Sequence, residues 1–397
     1  MRGRGAACDS RGAYLAGLIR ERWPEAQLVG AGGPLMREAG VNVLFDTTAL
    51  TVWKHFQPRG QPPHLPWHRF RGAGAPAHDD ALPRRWVIID ALQVVHSLRE
   101  HGLWRDDAKA VFVGNLDPTC RRRINLGAPD VKQQLAPFAG IGTDLPWEHD
   151  ELARLNLPGA LEPVGHWAVE RSRQWLSQQP APPASPIEQP QYLALLPGSH
   201  QQQAEHNLAL GLAAARTICA QHPELQPIVL PAPTLDGSRL QAVCDRTFPA
   251  ATCPESDEAG RYEVYQRARC AIVGGGWAPL ELSVFEVPMV VMHDEQTGPR
   301  REYLARRSRG DVPHFVALQN IALDELVVPE LLGCSAPQLA IEVLSLLADT
   351  QRLALAQARA NEAIDLLGVP DAEGAYRRLL DALFVGLPAG KEIAGAN

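Results

Sequence analysis

Short apolar runs alternate with amphipathic stretches along most of the chain. In the second half the runs are YLALLPGS (192–199), QPIVLPAP (226–233), CAIVGGG (270–276), PMVVMHD (288–294) and HFVAL (314–318). Each is short and bounded by Gly, Pro or polar residues, which predicts buried strands. After the first run, Leu208, Leu212, Ala215 and Cys219 share one helical face. Residues 336–349, 350–367 and about 371–386 also read as helices, with Gly368 as a C-cap and Pro370 beyond it. The first half gives a helix over 12–22 and strands at 26–33, 41–45, 85–90, 109–114 and 160–166. Strands that alternate with helices predict an α/β fold with parallel sheets covered on both faces.

Two kinds of segment break this rhythm. Residues 178–191, QQPAPPASPIEQPQ, hold five prolines, which favour extended backbone and forbid a helix. They read as a linker between a first unit at 1–177 and a second at 192–367, with a last helix and tail at 368–397. Residues 1–11 supply no strand before the first helix, and 57–86 have neither helical nor strand period. A structureless stretch that long is uncommon inside a compact domain. Its aperiodic Pro/His/Arg/Gly character, shared with 1–11, is that expected of translation in a shifted reading frame.

Composition narrows the class. The 397 residues fit two or three domains. Gly (33) and Pro (34) make up about 17% of the chain, against an average near 12%. No run approaches 18 apolar residues, so no transmembrane helix is expected, and MRGRGAACDSRG has no apolar core of a signal peptide. The net charge of −7 gives no global nucleic-acid footprint. Seven scattered cysteines without a C-x-x-C pair indicate neither zinc nor a disulfide framework and suit a reducing cytoplasm. His55, His64, His68 and His78 are spaced by 9, 4 and 10 residues, which fits no metal-ligand pattern. No metal and no cofactor is expected.

Three places could carry chemistry. In LALLPGSHQQQ a strand ends at Pro197-Gly198-Ser199 and a helix begins, so glycine and free backbone N–H groups could meet a phosphate; Ser199 as an ordinary N-cap is the alternative. In AIVGGGWAPLEL, Gly274, Gly275 and Gly276 follow a strand, and Glu281 on the next helix could accept ribose hydroxyls or remain a solvated glutamate. Both turns belong at the carboxyl end of a parallel sheet, where open α/β sheets bind ligands. In VIID, Asp90 ends a strand and could act as a general base or cap the helix after it, and Asp117 has the same two readings.

Together these strings resemble the lipid-A-disaccharide synthase family. LALLPGS resembles its signature, and IVGGGWAPLELSVFEVPMVV its donor-site turn and helix. NIALDELVVPELL (320–332) resembles the block that holds Asn320 and Glu330, and GAYLAGLIRERWPEAQLVGAGGPLMREAGVNVLFD (12–46) its opening helix and second strand. VGH (164–166) is similar to another family string, Asp9 falls on the aspartate of the Ser-Gly-Asp turn, and Asp90 on the catalytic aspartate. The chain departs from the pattern at His200, where the family has arginine, and at Gln203, Trp277 and Ala7-Cys8. A tryptophan at 277 could stack on uracil or block the pocket.

The resemblance implies two Rossmann-like domains facing across a cleft (the GT-B architecture) and metal-independent, inverting sugar transfer. The donor it implies is UDP-2,3-diacylglucosamine and the acceptor 2,3-diacylglucosamine 1-phosphate. It gives Asp90 and Asp9 catalytic roles and Gly198, Ser199, His200, Gly275, Gly276, Trp277, Glu281, Asn320 and Glu330 the nucleotide sugar. Arg301, Arg306 and Arg307, after the HDEQTGP loop, are candidate phosphate partners, with a solvated helix face as the alternative. It further implies a cytoplasmic protein at the inner face of the cytoplasmic membrane, no nucleic-acid partner, and leaves homo-oligomerisation open. The alternative is a non-catalytic nucleotide-sugar-binding homologue. An NAD-dependent dehydrogenase is disfavoured because no good G-x-G-x-x-G follows the first strand.

Overall fold

The computed structural model describes residues 6–46, 85–90, 94–104, 108–115, 129–179, 190–199, 201–233, 235–293 and 315–385. Most of the 57–86 stretch, most of the proline-rich linker, Asp117, His200, the three candidate arginines and the C-terminal tail lie outside these residues.

The first half runs α1 (Ala6–Arg22), β1 (Val29–Gly32), α2 (Pro34–Glu38), β2 (Asn42–Asp46), β3 (Arg85–Ile89), α3 (Val94–Glu100) and β4 (Lys109–Gly114). It continues through α4 (Pro129–Leu135), β5 (Gly140–Thr143), α5 (Pro146–Ala153), β6 (Ala160–Pro163) and α6 (Trp167–Gln178). β1 and β2 form a parallel pair, and a second parallel sheet has the order β3-β4-β5-β6. One face of that sheet packs Val87, Ile89, Val111 and Val113 on α1, while the other packs Ile88, Phe112 and Ile141 on Leu98, Leu135 and Leu152.

The second half contains β7 (Gln191–Leu196), α7 (Gln201–Gln221), β8 (Leu225–Val229), α8 (Gly237–Thr247), α9 (Glu258–Arg267), β9 (Ala268–Gly274) and α10 (Ala278–Val284). β10 (Met289–His293), α11 (Leu318–Leu323), β11 (Glu330–Leu332), α12 (Ala336–Ala348), α13 (Thr350–Leu367) and α14 (Ala372–Phe384) complete it. Its five strands are parallel in the order β8-β7-β9-β10-β11. That is a doubly wound order whose direction reverses between β7 and β9. Leu196 pairs with Val273, so the turns after these two strands leave the sheet side by side. A Cβ on Gly274 would stand 3.1 Å from the Pro197 carbonyl oxygen, so the two turns touch.

The last helix crosses back. Leu379, Leu380 and Leu383 of α14 are buried against the first four-stranded sheet, not the second. Leu379 seats directly on β5: a Cβ at Gly140 or Gly142 would come within 2.9 or 2.6 Å of it. The glycines of GIGT are the reason the helix approaches so closely. They are also why the apolar pattern does not predict this strand, since glycine has low strand propensity.

Three expectations are corrected. HFVAL is not a strand in its described part: the backbone N–H groups of Val316 and Ala317 donate to the Glu330 carboxylate instead of to a neighbouring strand, and a helix begins at Leu318. The fifth strand of the sheet is Glu330–Leu332, paired with β10. Residues 6–11 are not irregular: they open α1 and bury Cys8, Asp9 and Arg11. Asp9 therefore lies inside a helix and not in a turn.

Candidate functional site

Asp90 follows the last residue of β3 in a left-handed backbone conformation, φ 50°. A non-glycine residue there carries strain that the surroundings must hold. They do so from several sides. The Asp90 N–H donates to the Val113 carbonyl (3.0 Å), and Oδ1 accepts the Asn115 N–H (2.9 Å). The Cys8 thiol donates to Oδ2 (3.0 Å). The side chain keeps 15% of its surface exposed, and Arg11 Nη1 stands 3.8 Å from it.

Arg11 is wholly buried, and its Nη2 donates to Asp144 Oδ2 at 2.6 Å. Burial pulls the guanidinium pKa down, but Asp144, Tyr376 and Asp90 more than offset it, so Arg11 stays charged. Burial pushes the Asp144 carboxyl up and Asp90 adds to this, while Arg11 pulls it back. The guanidinium carbon also lies 5.9 Å from the Trp167 ring and 5.7 Å from the Trp277 ring, both cation–π contacts.

Trp277 comes from the second half of the chain, in the turn after β9. Its ring meets His166 edge-on at 5.2 Å. His166 N-caps α6: Nδ1 accepts the Ala168 N–H, so the ring proton is assigned to Nε2. Burial, and then Arg11, lower its pKa to about 3, so the imidazole is neutral. Trp277 thus meets the first half of the chain through Arg11 and His166.

In the turns themselves, Gly198 has φ 109° and Gly276 φ 129°. A Cβ at either would meet nothing within 4 Å, so it is the backbone conformation that requires glycine, and the space above both turns is open. Gly275 lies between Gly274 and Gly276 in the second turn, and Ser199 is exposed at the end of the first. Glu281, one turn into α10, accepts the Tyr265 hydroxyl at 3.1 Å. Burial pushes its carboxyl up and Arg261 draws it back.

The remaining expected residues make hydrogen bonds within the chain. The Asp9 oxygens accept the N–H groups of Gly33 (2.7 Å), Leu35 (3.0 Å) and Met36 (3.1 Å), which caps α2. Three amides thus hold the buried Asp9 carboxylate at the start of α2. Asn320 is fully buried: its Oδ1 accepts from Val327 and Val328, and its Nδ2 donates to the Val328 carbonyl and to Glu330. Asn320 and Glu330 are brought together, Asn320 on the loop before β11 and Glu330 on the turn before α11.

Sequence reasoning missed Arg11, Asp144, the packing of His166, and Gln319, which ties α11 to Pro279 and Ser283 of α10. One signal was available. Arg11 falls on the apolar face of α1, three and four residues from Cys8 and Leu15, and a charge in an apolar stripe is out of place unless paired. Among the described residues no group of His, Cys, Asp or Glu could hold a metal ion.

Parallel sheets from the two halves of the chain, with paired glycine turns at the switch point of the second and a strand-end aspartate in the first, define a two-Rossmann-domain protein of the GT-B class. A solved structure described as an S. aureus MnaA-UDP co-structure has this fold, with a TM-score of 0.55 at 9% identity over 96% of this chain and 95% of that one. The family model for lipid-A-disaccharide synthetase matches residues 146–373. The chain belongs to this family. Lipid-A-disaccharide synthase of Rhodopseudomonas palustris is 27% identical over 86% of this chain and 84% of its own. That of an Enterobacter species is 28% identical over 86% of both. The protein is a glycosyltransferase of lipid A biosynthesis, and the alternative of a binding-only homologue is not favoured.

Proposed function

We propose that the protein transfers 2,3-diacylglucosamine from its UDP derivative to 2,3-diacylglucosamine 1-phosphate, with inversion at the anomeric carbon. Asp90 accepts the proton of the acceptor hydroxyl as its oxygen bonds to that carbon. The bond from the same carbon to the UDP oxygen breaks, and its electron pair leaves with UDP. Negative charge growing on the diphosphate is met by backbone amides of the turns at Gly198–Ser199 and Gly275–Gly276, with His200 next in the chain. Glu281 receives ribose hydroxyls. Trp277 bounds the nucleotide site from the cleft side, and Asn320 and Glu330 act through the loop they fix.

In this reading residues 1–177 bind the acceptor, 192–367 bind the nucleotide sugar, 178–191 link the two, and 368–397 supply the last helix and tail, of which α14 packs on the first unit. No described helix is long and apolar enough to cross a membrane. The lipid character of both substrates supports action at the cytoplasmic face of the membrane.

The observation that carries the proposal is Asp90, strained, held by three neighbours and still partly open at the carboxyl end of β3. The test is incubation of the purified protein with both substrates, following UDP and disaccharide. The parent protein releases both, and Asp90→Asn releases neither. Equal UDP release by the two proteins rules out Asp90 as the base.

A further inference from the structure

We infer that Arg11 is a positioning residue that sets the Asp90 carboxylate and joins it to the nucleotide turn across the cleft. The inference rests on the reading of Asp90 as the base. An arginine side chain with no exposed surface is costly unless its charge is met. Asp144 alone would meet it, through Nη2 at 2.6 Å. The guanidinium nevertheless turns its other arm, Nη1, toward Asp90 at 3.8 Å. Neither Nη1 nor Nε makes a hydrogen bond among the described residues, so charge, not a fixed contact, draws that arm to Asp90.

The same flat group lies against Trp167 of α6 and Trp277 of the turn after β9. One cation therefore touches four places: the residue after β3, the residue after β5, the start of α6 and the glycine turn of the other domain. A carboxylate in a strained backbone has few orientations that keep all its partners. The groups that face it are Cys8 and Arg11 from α1, the Asn115 N–H, and at longer range Asp144 and Tyr376 of α14. Among the described residues Arg11 is the only cation in that set.

An arginine can serve Asp144 and Asp90 at once because its two terminal nitrogens diverge, and a lysine ammonium cannot. Trp277 meets the guanidinium from the second half of the chain, so a change in the turn that meets the diphosphate moves the ring against which Arg11 rests. Placement of the base and occupancy of the nucleotide turn are then coupled through one side chain.

Three variants test this: Arg11→Lys, the charge-free pair Arg11→Leu/Asp144→Leu, and Trp277→Leu. Replacement of both buried charges by apolar groups leaves the fold intact. In Arg11→Lys and in the charge-free pair, kcat falls by about 10- to 100-fold while KM for donor and acceptor stays within about two-fold, as a misplaced base requires. In a double-mutant cycle on kcat, Arg11→Lys and Trp277→Leu are less than additive. Unchanged kcat in Arg11→Lys overturns the inference whether or not the charge-free pair folds, and so does a change in KM alone. Strict additivity overturns the link to Trp277. Transfer by Asp90→Asn would sink the reading of Asp90 itself, whereas an inactive Asp90→Asn beside fully active Arg11 variants would sink only the role of Arg11.

Discussion

The Asp90 carboxylate fills the space that a side chain at position 114 would take. A Cβ on Gly114 would stand 1.9 Å from Asp90 Oδ1 and 2.7 Å from its Cγ, and Gly114 also holds φ at +134°. The glycine ending β4 is therefore part of the seat of Asp90. Gly114→Ala must expel the carboxylate or unwind the strand end, at a cost of about 1–3 kcal/mol for the strained backbone. We expect a folded protein, less stable in urea, with transfer reduced about as severely as in Asp90→Asn. A stable, fully active Gly114→Ala protein would show that Asp90 does not work from this position.

His166 predicts a pH dependence of stability. Burial and Arg11 lower its pKa to about 3, against about 6.5 in an unfolded chain. Between these values the unfolded state binds one more proton than the native state, so stability falls as pH drops from about 6.5 toward 3, by up to about 1.4 kcal/mol per pH unit. Asp144, raised by burial, acts in the opposite sense above its unfolded pKa, because its native form binds the proton more readily. His166→Asn keeps a cap for the Ala168 N–H and loses this titration. The stability gap between parent and variant, from urea midpoints, should change in the variant's favour from pH 7 to pH 4. A constant gap would mean that the native imidazole titrates normally.

The two glycine turns separate conformation from contact. Gly198→Ala and Gly276→Ala each place a methyl in open space, so the folding cost is that of positive φ alone, about 1–3 kcal/mol. The same methyl projects where a diphosphate would lie. UDP binding, measured by calorimetry, should weaken about ten-fold in each, or about 1.4 kcal/mol. Retention of full affinity by both would move the diphosphate elsewhere.

Asn320 should prove structural. Asn320→Ala strands the buried Val328 N–H, leaves the Val327 N–H only its bond to the Glu325 carbonyl, and removes a partner from Glu330, at about 1–3 kcal/mol for a group left unpaired. A large fall in the urea midpoint is expected, with UDP affinity restored when binding is measured far below that midpoint. Lost affinity in a fully stable variant would give Asn320 a direct contact instead.

The strands that apolar runs announced are those with Val, Ile and Leu at their centres. Leu193–Leu196, Cys270–Val273 and Val111–Val113 fall where the pattern put them, because burial on both faces demands unbroken hydrophobic sequence. GIGT escaped because its role is to let Leu379 come close, which calls for missing side chains. Glu330–Leu332 escaped because it is only three residues long and its first member spends its carboxylate on another loop. Gly198, Gly276 and Asp90 could be proposed as a site because turns after strands have a recognisable grammar. Arg11 and Asp144 are 133 residues apart, and nothing local ties one to the other.

The return of α14 to the first sheet reverses the usual order of completion during synthesis. When the opening sheet leaves the ribosome, the surface around Val111, Val113 and Gly142 lacks its cover, which is encoded in Tyr376, Leu379 and Leu383, beyond the whole second sheet. A polypeptide stopped after its second sheet would expose that apolar strip and the aromatic wall beside Arg11. Emergence of α14, not passage of the first domain, is the event that finishes the first domain.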